Sequence, residues 1–136
     1  MTENGIVQLV QGNAAVAALC TSGGGFLAEL PKGQPLPSWT YQTISNVPEG
    51  RALASIGGLR RWHVQIDCFG YAASDVISLS EAVIQSLNGF KGALSDTDKT
   101  SVDSAFWIDS HDPEFDSVSR TWRRVIEFEV FYTSQF

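Results

Sequence analysis

Positive charge is scarce in this chain: nine Lys and Arg stand against fifteen Asp and Glu in 136 residues, a formal charge of −6 with a pI near 4.7. Neutralising phosphates takes clustered cations, so this balance argues against a nucleic-acid binder that works through general electrostatics, leaving a local basic patch at the arginine pairs as the form such binding would take. What basic charge exists is concentrated, with Arg60, Arg61, Arg120, Arg123 and Arg124 on two predicted strands. Cysteine is scarcer still. Cys20 and Cys68 lie far apart in no metal-ligand or redox spacing, and no N-terminal secretory signal is legible. The expectation is two reduced, buried thiols; whether they pair depends on a Cα separation that sequence does not give. Long apolar runs are missing. The longest, Ala14 to Cys20, falls far short of the roughly 20 residues a bilayer span needs, so a soluble protein without membrane contact is expected. The Gly23 to Gly25 run has no following Lys-Ser/Thr and no preceding strand, so it reads as a flexible turn and not a phosphate loop.

The length fits one domain over residues 1–136, and 43% hydrophobic content is enough for one core. Its clearest element runs from Leu59 to Phe69, where Trp62, Val64, Ile66 and Cys68 alternate with Arg61, His63, Gln65 and Asp67. A strand points successive side chains to opposite faces, so one face packs and the other meets water or a partner. A helix follows, with Ser74 as the expected N-cap and an apolar stripe of Val76, Leu79, Val83 and Leu87 with Ile77 and Ile84, closed by Asn88-Gly89. That stripe should cover the Trp62 face.

Elsewhere, Gly5 to Cys20 has helical spacing that Gly12-Asn13 bends or interrupts. Phe26 to Leu30 reads as a short strand, and Pro31, Pro35 and Pro37 lead into a strand at Ser38 to Asn46. Val47 to Gly58 reads as a connection of about a dozen residues, longer than a tight hairpin. Thr100 to Asp109 and Ser119 to Tyr132 are further strands, separated by a polar link at Ser110 to Ser117. The last strand sets Trp122, Arg124, Ile126, Phe128, Val130 and Tyr132 against Arg123, Val125, Glu127, Glu129 and Phe131. The pattern gives an α+β fold, an antiparallel sheet of four to five strands with two helices packed on one face.

No catalytic, cofactor or metal site stands out. Asp109, His111, Asp112, Glu114 and Asp116 could ligate a cation, but they match no metal spacing and Pro113 interrupts them, so a solvated acidic loop is the plainer reading. His63 and Asp67 are about 13 Å apart along a strand and are no pair by adjacency. Cys68 shares the packing face, which makes it a core thiol and not a nucleophile. Arg61, Arg123, Glu127 and Glu129 can form cross-strand ion pairs, each contributing under about 1 kcal/mol. Val125 and Phe131 on that same face point further, to a subunit interface, because a solvent face seldom carries a bulky aromatic without a partner. Arg51, Leu53 and Ile56 in the 47–58 connection are read as contacts of the same kind.

The succession of a proline leading into Trp-Thr-Tyr-Gln at 39–42, the Trp-His-Val-Gln-Ile-Asp-Cys-Phe strand at 62–69, an Ala-containing helix through Leu87, and Arg-Arg-Val-Ile-Glu-Phe-Glu-Val at 123–130 resembles the DUF3168 family of bacteriophage tail-completion and tail-terminator proteins. The likeness covers nearly the whole chain, although the glycine turn at Thr21 to Gly25 and the polar link at Ser110 to Ser117 depart from it. It implies a non-enzymatic protein without cofactor, forming a homo-oligomeric, generally hexameric ring at the head-tail junction of the virion after assembly in the bacterial cytoplasm. Tail tube and head-completion connector proteins would be its partners. DNA would pass through the lumen without specific binding, for which an acidic chain is suited. The competing expectation is a small ligand-binding domain or enzyme built on the acidic 109–116 segment.

Overall fold

The computed structural model describes residues 3–48, 59–94 and 99–133. Arg51, Leu53 and Ile56 therefore lie outside the described residues. Among those described, the elements run α1 (Glu3–Gln11), α2 (Ala14–Leu19), β1 (Phe26–Leu27), β2 (Ser38–Pro48), β3 (Arg60–Gly70), α3 (Ala73–Leu87), β4 (Gly92–Ala93), β5 (Ser101–Ser110), β6 (Glu114–Asp116) and β7 (Thr121–Thr133). The expected interruption of the first helix is real. Asn13 makes it: its side-chain oxygen accepts from the backbone N–H of Ala15 and of Val16 at 3.0 and 3.2 Å, so it caps α2 and starts a new helix.

α3 departs from expectation at its start. Ala72 occupies the capping position without a side-chain bond and Ser74 lies inside the helix, while Asp75 in the first turn complements the positive helix end. Gly70 admits this tight strand-to-helix transition, because a Cβ there would lie 2.9 Å from the Asp75 Cβ. The stripe packs as expected at Val76, Leu79, Val83 and Leu87, but Ile77 is exposed.

The sheet order is β1-β2-β3-β7-β5-β4, with β6 also paired to β7, and every pairing is antiparallel except β1 with β2. The α+β class holds, with seven strands and three helices among the described residues where four to five strands and two helices were expected. Two of the additions carry no apolar alternation: β4 is Gly-Ala, and β6 is an exposed Glu-Phe-Asp. The Ser110 to Ser117 segment is thus only partly a link. His111 donates its backbone N–H to the Val125 carbonyl at 2.9 Å and β6 pairs at Glu114 to Asp116, so β5 and β6 form one broken line along β7. Arg120, expected on a strand, instead sits in the β6–β7 turn at φ +57°.

One core cluster unites Ile6, Val10 and Val16 of the first two helices, Leu79, Val83 and Leu87 of α3, and the inner face of β2, β3, β5 and β7. All helices therefore cover the same side of the sheet. Two buried rings have bonded polar tips: Trp62 Nε1–H donates to Thr43 Oγ1 and Asn46 Nδ2–H to Tyr132 Oη, each at 2.8 Å, whereas the buried Trp39 Nε1 finds no partner among the described residues. The glycine turn proves packed. A Cβ on Gly24 would fall 2.4 Å from the buried Trp39 indole, and Gly25, at φ +82°, donates its N–H to the Trp39 carbonyl at 2.8 Å.

Candidate functional site

The helices leave the other side of the sheet uncovered, and the charged residues of β3 and β7 meet there. In the ladder Arg61 stands opposite Phe131, His63 opposite Glu129 and Asp67 opposite Val125. The ion pairs skip these direct neighbours. Arg61 Nε lies 3.6 Å from Glu129 Oε1, His63 Nε2 lies 2.7 Å from Glu127 Oε1, and Arg123 Nη1 lies 3.7 Å from Asp67 Oδ2. In each case the β3 residue reaches the β7 residue two positions earlier than its partner in register. Long side chains bridge such diagonals readily on a twisted sheet.

Sequence reasoning anticipated cross-strand ion pairs among Arg61, Arg123, Glu127 and Glu129 without assigning partners, and Arg61–Glu129 is one of them. It did not anticipate that Arg123 would serve Asp67 and, at 3.5 Å, Glu114, nor that Glu127 would belong to histidines. Gln65 supports the array by donating to Asp67 Oδ1 at 2.8 Å. These groups are partly exposed, so each pair contributes well under 1 kcal/mol, on the order of tenths, once solvent screening is counted. Their combined effect is orientation: the face presents fixed charges and not a mobile fringe.

Apolar side chains interleave with the charges. Val125 and Phe131 are half-buried on this face, and Phe131 meets Phe106 of β5 edge to face with ring centroids 6.2 Å apart. Phe106, Trp107 and Ile108 are all more than two-fifths exposed. The sequence reading missed this apolar end of the surface. Its signal was three large apolar residues in a row, of which a strand can turn only alternate ones toward a single core. The outer backbone edge of β5 is meanwhile occupied: Gly89 N–H bonds the Ala105 carbonyl at 2.8 Å, the Asn88 side chain accepts from Trp107 N–H at 2.9 Å, and the Trp107 indole donates to the Asp109 carbonyl at 3.0 Å. Edge pairing by another chain is blunted there.

The arginines that looked like paired basic clusters separate in space. Arg60 bonds the side chain and carbonyl of Asn46, and Arg124 reaches Ser80 of α3 at 2.8 Å and the His111 carbonyl at 3.0 Å, whereas Arg61 and Arg123 join the outer array. Neighbours on a strand cannot form one patch. A groove lies at one end of the sheet, between the 30–36 connection and β6, lined by Leu30, Leu36, Phe69, Tyr71, Phe115 and Arg123. Asp116 at its rim is committed to the hairpin turn: the Val118 N–H, then Ser119, bond its carboxyl and hold it below the usual carboxylate range. Both cysteines are free and buried. Burial pushes the Cys20 thiol up to about 11, and burial followed by the nearby Cys20 pushes Cys68 higher still, which fits inert core thiols.

This arrangement of sheet and helices has a solved counterpart. A chain in the structure described as "Virion of native gene transfer agent (GTA) particle" superposes with a TM-score of 0.65 at 18% sequence identity, covering 94% of this chain and 91% of that one. The two share a fold. No protein-family model matches this sequence, and no curated protein matches it. Among the described residues no helix is long and apolar enough to cross a membrane.

Proposed function

We propose that this chain is a structural component of a phage or phage-like virion that assembles with copies of itself and with other virion proteins. The observation that carries the reading is the fold shared, over nearly the full length of both chains, with a chain of a gene transfer agent virion. The outer sheet face supports it: charges held in fixed pairs alternate with half-exposed aromatics, a mixture suited to subunit contacts. In its finer form the proposal is a tail terminator, the role implied by the DUF3168 resemblance. Such a protein forms a ring of about six copies at the head-tail junction, contacting the tail tube on one side and the head connector on the other, and catalyses nothing. A ring closes through two different patches that match each other. One patch is assigned to the outer face, with Arg61, Arg123, Val125, Glu127, Glu129 and Phe131 extended by Phe106. Arg51, Leu53 and Ile56 are proposed for the second.

The test is solution mass by light scattering over a range of concentration and salt, with negative-stain images of the same sample. Rings with a central hole, reduced to 14.8 kDa monomers by the double substitution Phe106→Ser and Phe131→Ser, are the expected result. A wild-type monomer at every concentration that also fails to bind purified tails would overturn the proposal and return attention to the acidic 109–116 segment as a ligand site.

A further inference from the structure

Asp109 near the end of β5, His111 just beyond it and Glu127 of β7 converge on the outer face, and one ligand atom from each lies within 4.8 Å of the others. The backbone fixes this meeting. Asp109 stands opposite Glu127 in the ladder, and the His111 N–H bond to the Val125 carbonyl holds the imidazole over the same strand.

The distances suit an ion-pair cluster and also a ligand set. His111 Nε2 lies 3.5 Å from Asp109 Oδ2 and 3.5 Å from Glu127 Oε2. Both are within ion-pair range but longer than the about 2.7–2.9 Å of a close charge-assisted N–H···O bond, which leaves room between the three groups. An ion bound tetrahedrally at ~2.1 Å, however, separates its ligand atoms by about 3.4 Å, close to the spacing of both contacts. The other oxygen of Glu127 behaves differently, bonding His63 Nε2 at a full hydrogen-bond distance of 2.7 Å. His63 therefore anchors the carboxylate from behind and leaves Oε2 turned toward His111 and Asp109. Holding a ligand carboxylate by a hydrogen bond on its far side is how binding sites orient their donors. Two carboxylates facing one point also repel unless a cation lies between them.

We propose that Asp109, His111 and Glu127 bind a divalent transition-metal ion of the zinc class, with the remaining position open to water. One imidazole nitrogen and two carboxylate oxygens suit Zn2+ and its first-row neighbours, while Mg2+ and Ca2+ favour all-oxygen shells. The ion would clamp the end of β5 to β7 where the edge strand breaks before Pro113. This inference does not rest on the ring proposal, although Glu127 belongs to the face assigned there. It departs from the sequence reading of a solvated acidic loop because Glu127, the ligand that completes the set, comes from a distant strand.

The experiment is calorimetric titration of the full chain with zinc chloride, with cobalt(II) absorption reporting coordination geometry. One ion per chain is expected, with a tetrahedral cobalt spectrum and no response to magnesium. His63→Gln should weaken affinity by roughly ten- to a hundredfold, the cost of losing a partner that orients a ligand, and His111→Ala should weaken it further. His111 and Asp109 are more than half exposed, so His111→Ala and Asp109→Asn retain the fold, checked by circular dichroism. Absence of binding at millimolar zinc, wild-type affinity in folded His111→Ala, or a greater loss in His63→Gln than in His111→Ala would each overturn the assignment.

Discussion

Successive residues of β7 inhabit opposite environments. Ile126, Phe128, Val130 and Tyr132 are each 0% exposed beneath the helices, whereas Val125, Glu127, Glu129 and Phe131, interleaved with them, are half-buried on a face that no helix covers. The inner face is packed within the chain: among the described residues, three helices and four strands supply most of one core cluster. The outer face is completed only in part, by diagonal ion pairs and one aromatic contact. A face meant for water alone would be polar throughout, and one meant for the core would be apolar throughout. The mixture on β7 fits neither, and it is the feature on which the proposed assembly surface rests.

The comparison is broken most directly by placing the same substitution on each side of one strand. Phe128→Ala should cost about 3–5 kcal/mol, the range for truncating a large buried ring, read as a lowered urea midpoint with little change in slope. Phe131→Ala, three residues on, should cost about 1 kcal/mol or less in the same measurement. Equal losses would mean that the outer face is as much core as the inner. Gly24→Ala tests the end of the core, where the glycine turn lies on Trp39; a methyl group 2.4 Å from a buried indole should destabilise by about 1–3 kcal/mol and shift the tryptophan emission. The smallest effect concerns the thiols on the inner side. Their folded pKa values lie above the ordinary 9.0, so their contribution to stability is complete below that pH and lost as pH rises toward 11, because the unfolded thiols ionise first. Alkylation at pH 9 should accordingly be about fiftyfold slower at Cys20 in the native chain than in urea, and slower still at Cys68. Fast native labelling of Cys68 would show that the inner face opens.

Much of this was legible along the chain. Two-residue alternation announced β3 and β7 and sorted their side chains correctly onto two faces, and helical spacing found α3 and the broken N-terminal helix. Legibility failed where the local period is silent. β4 and β6 are too short and too polar to carry alternation and exist because a neighbouring strand offers bonds. Ser74 looked like a cap because its residue type favours that position, while packing at Gly70 sets the true start of α3 two residues earlier, with Ala72 at the cap and Ala73 first in the helix. Of the outer-face residues, Arg61, Arg123, Val125, Glu127, Glu129 and Phe131 were placed on one side correctly, but Phe106 was overlooked, since a bulge in the pairing between Val102 and Ser104 resets the alternation of β5.

What the sequence determined by itself was the set of long elements, their facing and the α+β class, because each follows from a period of 2 or 3.6 residues within a short window. Only the tertiary structure decided that the last strand runs between β3 and β5. That position joins Glu127 to His63 on one side and to Asp109 and His111 on the other, and gives Arg123 to Asp67. Strand order and register couple residues more than sixty positions apart, and sheet twist then selects the diagonal partner over the direct one; neither leaves a local mark on the residues it brings together.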